Sequence, residues 1–124
     1  MNIRKAAAGV EINITEKEQP TFQRCIDYLL SSEGFTFSEL APDESEGLMM
    51  VLPNALEALT ALRPHFISLV EQAKAEALLI VLWHTKPSND FFCTFLDMLE
   101  QATLPDCPAA DVDRWIHQKL TGKL

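Results

Sequence analysis

The sequence has few of the residue patterns that mark a reaction centre or a cofactor site. It has only four glycines in 124 residues, and they are dispersed, so no glycine-rich phosphate-binding loop is present. It contains no Cys-x-x-Cys or His-x-x-x-His pair that would seed a metal site, and we therefore predict neither a metal nor a cofactor. Its three cysteines are odd in number and widely spaced, which excludes a disulfide framework and favours a reducing compartment.

Long hydrophobic runs are also missing. The longest run, residues 77–83, falls far short of the roughly 20 residues that span a bilayer. The apolar stretch that follows Arg4 and Lys5 is too short for a signal peptide. We therefore expect a cytoplasmic protein that does not enter a membrane.

Basic residues are scarce. Lysine and arginine together number 10 against 18 aspartates and glutamates, which gives a formal net charge of −8. Residues 11–50 alone hold nine acidic and two basic side chains. An anionic surface repels phosphate backbones and anionic lipids, so we expect no direct contact with nucleic acid or membrane. A protein partner with a basic surface fits this charge, although solubility alone would also explain it.

The hydrophobic pattern predicts a single α+β domain over residues 1–124, because hydrophobic residues make up 48% of a chain long enough for one core. Alternating apolar residues predict a strand at 9–14, and an apolar stripe at three- and four-residue spacing predicts a helix at 19–32. Turn residues between apolar runs predict a hairpin over 35–52, with its second strand at 48–52.

The remaining pattern completes the predicted order of elements. We expect a helix that opens at Pro53 and is interrupted at Pro64, a strand at 78–83 buried on both faces, and helices at 88–103 and 109–121. The first six elements then follow the βαββαβ order of the ferredoxin-like arrangement, an antiparallel sheet with two additional C-terminal helices. The last strand of that order lies at a sheet edge and needs a cover. We favour the C-terminal helices for it, and a homodimer is the alternative.

The segment with the most polar groups in position for a ligand is the predicted connection at 84–89. It leaves a buried strand and leads into a helix N-terminus, where backbone N–H groups and the helix dipole favour an anion. His84, Lys86 and Ser88 would supply the side chains for a small ligand or anion. An ordinary polar connection with a serine cap explains the same residues.

No catalytic constellation emerges, and we therefore favour an acidic interaction or regulatory protein that binds another protein. Its predicted contact region is the acidic helix and hairpin, with Glu39, Asp43, Glu44 and Glu46 as charges at the rim. Rim charges govern association rate and salt dependence more than affinity. A ligand-binding module using the 84–89 loop, or a small enzyme whose residues come from distant positions, remain the alternatives.

Overall fold

The computed structural model describes residues 1–30, 42–62, 67–85 and 90–122. These residues form a mixed α+β structure, with three antiparallel strands and five α-helices within the described ranges. In chain order the elements are β1 (Asn2–Ala6), β2 (Gly9–Asn13), α1 (Gln19–Leu30), α2 (Pro42–Leu62), β3 (Ile67–Glu71), α3 (Gln72–Thr85), α4 (Asp90–Thr103) and α5 (Val112–Thr121). A short 3₁₀ turn at Ala109–Asp111 leads into α5.

The sheet has the order β1-β2-β3, with both neighbouring pairs antiparallel. The strand predicted at 9–14 is confirmed as β2, whose Val10 and Ile12 are fully buried on the helix side of the sheet. On the opposite side, Arg4, Glu11 and Leu69 form one row across the three strands. The sheet therefore has one apolar face and one largely polar face, as is common for antiparallel sheets.

The central element is helix α3, and it replaces the strand predicted at 78–83. Residues 77–82 are all buried, so the inference of burial on every side is correct and the type of element is wrong. A helix that is surrounded by other elements shows no apolar–polar period, and a short apolar run cannot distinguish it from a buried strand. Helices α2 and α4 pack against α3, and the two apolar cores of the described chain lie on either side of it.

Helix α2 replaces the second strand of the predicted hairpin. Residues 48–52 lie inside this 21-residue helix, and Pro53 stands in its interior rather than at its start. The buried positions Leu48, Ala55 and Leu59 follow helical spacing, which links the short apolar run to the longer stripe behind it. Residues 35–41 and the predicted interruption at Pro64 lie outside the described residues, and α2 ends at Leu62.

The other three helices confirm the predicted ones in type and approximate position. Helix α1 corresponds to 19–32, α4 to 88–103 and α5 to 109–121. Gly122 ends α5 in the left-handed region at φ 73°, which is common for a glycine at a helix C-terminus. Phe22 of α1 packs against Phe95 of α4, with ring centroids 5.5 Å apart.

The ferredoxin-like βαββαβ order is wrong for the described chain. Two of its four predicted strands are helical, and the strands β1 and β3 were not predicted at all. The sequence did not predict β3, because Val70 also continues the helical spacing of the apolar residues Leu56, Leu59 and Leu62 in the helix that opens at Pro53. Gly9 allows β2 and β3 to approach, since a methyl group there would lie 2.1 Å from the carbonyl oxygen of Val70. Within the described ranges, no helix is both long and apolar enough to cross a membrane.

Candidate functional site

Three helices bring together one carboxylate and two imidazoles that lie far apart in the sequence. Glu44 stands in the first turn of α2, His84 in the last turn of α3, and His117 in the middle of α5. The Nδ1 atom of His117 lies 3.5 Å from Oε1 of Glu44, and Nε2 of His84 lies 4.0 Å from Oε2. One carboxylate therefore faces two groups that carry charge when protonated. We call these residues the Glu44–His84–His117 cluster.

The cluster is partly shielded from water. The side chains of His84 and Glu44 are 16% and 20% exposed, whereas His117 is open to solvent. The half-buried carboxylate of Glu44 lies between the two imidazoles and so links α2 to both α3 and α5. Within the residues that the structure describes, no group of three or more histidine, cysteine or acidic side chains is placed to hold a metal ion.

The close packing of α2 on α5 explains why the cluster can form. A methyl group at Gly47 would lie 1.9 Å from the carbonyl oxygen of Leu120, so the two helix backbones touch there. Glu44 and His117 are each three residues before this contact on their own helices, which is close to one helical turn. The glycine thus sets the distance at which the carboxylate and the imidazole meet.

The structure describes only part of the predicted ligand loop. Of residues 84–89, the structure describes the side chain of His84. This residue lies at the end of helix α3 and belongs to the Glu44–His84–His117 cluster, not to a connection that follows a strand. Lys86 and Ser88 lie outside the described residues. The predicted binding of an anion at 84–89 therefore stays a prediction.

The predicted acidic rim is divided by the structure. Glu39 lies outside the described residues, and Asp43 lies in the first turn of α2 with its side chain outside the description. Glu44 is half-buried and faces two histidines, and it lies in a helix rather than in the predicted hairpin, while its role as a rim charge stays a prediction. Glu46 is exposed, as expected of a rim charge.

The solvent side of α2 carries two large apolar side chains beside Glu46. Met49 is 63% exposed and Met50 is 77% exposed. Glu46, Met49 and Met50 follow the three- and four-residue spacing that places residues on one helix face. We call these three residues the α2 surface. Sequence reasoning missed it because a strand at 48–52 would bury one of two adjacent methionines, whereas a helix exposes both.

A shallow cleft of about 390 Å³ lies between the end of α4 and the loop that follows. Its lining is Asp97, Glu100, Gln101, Leu104, Pro105 and Cys107. Partial burial, and in addition the nearby charge of Asp97, raise the pKa of Glu100 above its ordinary value. Outside this cleft, on helix α1, partial burial raises the pKa of the Cys25 thiol above its ordinary value. Two carboxylates and one thiol in the lining of an open cleft do not by themselves define a reaction.

No protein-family model, curated protein or solved structure matches this chain. Two features of the described chain can indicate a function, namely the α2 surface and the Glu44–His84–His117 cluster.

Proposed function

We propose that this chain is a small protein-binding module and that the α2 surface is its contact with the partner. The observation that carries the proposal is the pair Met49 and Met50, two neighbouring large apolar side chains that are both mostly exposed. Methionine is flexible and polarizable, and it is common at surfaces that bind other proteins. Burial of two such side chains in a complementary pocket would stabilise a complex by about 1.5–3 kcal/mol each before the costs of association are counted.

The charge around this surface supports a basic partner. Glu46 stands three residues before Met49 on the same face, and the whole chain carries a net charge of −8. An apolar contact bordered by acidic charge fits a partner that has an apolar pocket with lysine or arginine at its rim. The negative field accelerates the encounter with such a partner and repels acidic competitors.

Affinity capture from an extract of cells that naturally produce the chain tests this proposal. We expect the immobilised wild-type chain to retain a basic protein, and the Met49→Ser/Met50→Ser variant to lose it. Glu46→Lys should weaken the capture and reduce its dependence on salt. The captured protein is then identified, purified and titrated against each variant.

A matched control lies on the same helix. Thr60→Ala changes an exposed side chain of α2 that lies ten residues, almost three helical turns, beyond Met50. This variant should capture the partner as the wild type does, and all variants should keep the wild-type melting temperature. Equal capture by the methionine variant and the control would remove the α2 surface from the proposal.

Acid–base catalysis is the second candidate, because the structure brings His117 and Glu44 within 3.5 Å of each other. A carboxylate beside Nδ1 leaves the other ring nitrogen of the imidazole available for proton transfer. If the chain is such an enzyme, a screen of ester and phosphate substrates should reveal a turnover. His117→Gln and Glu44→Gln should then both abolish it, whereas Glu46→Gln should not.

A further inference from the structure

The two edges of the sheet differ in how well they are protected against pairing. The β1 edge carries two exposed basic residues, Arg4 and Lys5, whereas helix packing does not distinguish the two edges, because α4 contacts β1 and both α2 and α3 contact β3. Lysine and arginine on an edge strand are a common protection against association. The β3 edge is different, because Leu69 is 55% exposed and no charge precedes Glu71 in this five-residue strand.

The row of residues across the sheet that contains Leu69 has no net charge, although the chain is acidic. Leu69 lies opposite Glu11, which in turn lies opposite Arg4. An Arg4 guanidinium N–H donates to Oε1 of Glu11 at 2.8 Å, so the charges of this row compensate each other. The row therefore ends at the β3 edge in an exposed apolar side chain. Among the described residues, β2 is the strand that pairs with β3.

We propose that β3 is a self-association edge, at which two copies of the chain pair antiparallel around a two-fold axis at Leu69. Such pairing joins two three-stranded sheets into one continuous sheet of six strands. The outward backbone N–H and C=O groups of each β3 bond to those of the other copy. The interface is isologous, so one edge supplies both sides and closes the assembly at a dimer.

The sequence of β3 is complementary to itself in this register. Leu69 faces Leu69 of the other copy, Ser68 faces Val70, and Glu71 faces Ile67 instead of a second carboxylate. Like charges placed directly opposite each other in a sheet destabilise it, and this register contains none. A second copy therefore meets no directly opposed like charge at this edge, although each copy carries a net charge of −8. Most of the remaining charge lies on other elements, where salt screens it beyond about 8 Å at physiological ionic strength.

Sedimentation equilibrium at increasing protein concentration tests the proposal. We expect the mean mass of the wild type to rise from the 13.9 kDa of one chain towards twice that value. Leu69→Lys places two ammonium groups opposite each other and should raise the dissociation constant about tenfold or more. The matched control is Asn2→Lys, which adds the same charge to an exposed position on the β1 edge and should dimerise as the wild type does.

A cysteine substitution tests the register independently of affinity. Directly opposed residues in an antiparallel pair have Cα atoms about 4.5–5.5 Å apart, which suits a disulfide. Leu69→Cys should therefore give an intermolecular disulfide between the two substituted positions under mild oxidation, as identified by peptide mapping. Glu71→Cys should not, because its two copies would be about 14 Å apart along the strands.

Two results would overturn the proposal. One is a wild-type mass of 13.9 kDa at every concentration, which would leave this edge to a different partner or to no partner. The other is dimerisation that responds equally to Leu69→Lys and Asn2→Lys, or cross-linking that is equal at positions 69 and 71.

Discussion

At the scale of single residues, Gly47 decides how closely α2 and α5 can pack. A glycine inside a helix ordinarily destabilises it by roughly 0.5–1 kcal/mol relative to alanine. Here a Cβ atom would lie 1.9 Å from the carbonyl oxygen of Leu120, so alanine would push the two backbones apart. We expect Gly47→Ala to lower the free energy of unfolding by about 1–3 kcal/mol, measured by urea denaturation.

The control for this substitution is its exposed neighbour. Glu46→Ala adds no contact and should change the unfolding free energy by less than about 0.5 kcal/mol. A stabilised Gly47→Ala variant would mean that α5 does not touch α2 at this point. In that case the geometry of the Glu44–His84–His117 cluster would also be wrong.

Glu100 gives a pH-dependent prediction with a defined sign. Partial burial and the charge of Asp97 raise its pKa in the folded chain above the ordinary value of 4.5. The folded state then binds more protons than the unfolded state between these two pKa values, so stability falls as pH rises through this window. Above the window, the charged Glu100 destabilises the fold. Below the ordinary value, the two states bind protons equally and the penalty disappears.

We therefore expect Glu100→Gln to melt at a higher temperature than the wild type at neutral pH. The difference should vanish when the pH falls below about 4. Asp97→Asn removes the smaller cause and leaves the burial, so it should raise the melting temperature by a smaller amount. A Glu100→Gln variant that is less stable than the wild type at pH 7 would contradict this assignment.

At the scale of elements, the sequence predicts well those elements whose apolar period is visible. β2, α1, α4 and α5 each have one buried and one exposed side, and all four are predicted at nearly the right positions. α3 has no exposed side along residues 77–82, so its period is invisible and its Ala- and Glu-containing first turns are the better signal. β3 is short and adjoins α3 directly, which hides its two-residue period.

The position of Pro53 within α2 gives a test of whether residues 48–52 are helical or form the strand that the sequence predicts. Proline in a helix interior cannot donate to the carbonyl four residues earlier, here that of Met49, and its ring clashes there. Pro53 is exposed, so its replacement leaves no cavity. We expect Pro53→Ala to raise the free energy of unfolding by about 1–3 kcal/mol, since the full cost of such a proline is about 3 kcal/mol.

Asn54→Ala is the matched control for Pro53→Ala, because it replaces the next exposed residue of the helix and should gain less than about 0.7 kcal/mol. If residues 48–52 formed a strand and Pro53 opened the helix, proline would stand at a favourable first position. Pro53→Ala would then lower stability, and denaturation would distinguish the two arrangements by sign.

The candidate site could be predicted from the sequence only one residue at a time. His84 and Glu44 are both singled out by their local context, but 40 positions separate them and His117 lies 33 further on. Three helices must pack correctly before these side chains meet, and two of those helices were predicted as strands in part. The exposure of both Met49 and Met50 likewise depends on residues 48–52 being helical rather than a strand. Local patterns therefore singled out two of the three residues, and only the packing shows that they lie together with His117.

At the scale of the whole molecule, the net charge of −8 makes opposite predictions for the two proposed interfaces. Two copies of the chain repel each other at long range, so salt that screens this repulsion should strengthen pairing through β3. A basic partner is attracted by the same field, so the same salt should weaken its binding to the α2 surface. Between about 0.01 and 0.15 M NaCl the Debye length falls from about 30 to about 8 Å, which covers the distances between the surfaces of two such chains.

Sedimentation and titration over this salt range separate the two interfaces in one preparation. We expect the dimer dissociation constant to fall and the partner dissociation constant to rise as salt is added. Glu46→Lys should flatten only the second trend, and Leu69→Lys should weaken the dimer at every salt concentration. If both constants moved in the same direction, one of the two contacts would not be where it is placed here. In that case, a change in the salt dependence of the dimer dissociation constant caused by Glu46→Lys would indicate that two copies pair through the α2 surface, and one caused by Leu69→Lys would indicate pairing through β3.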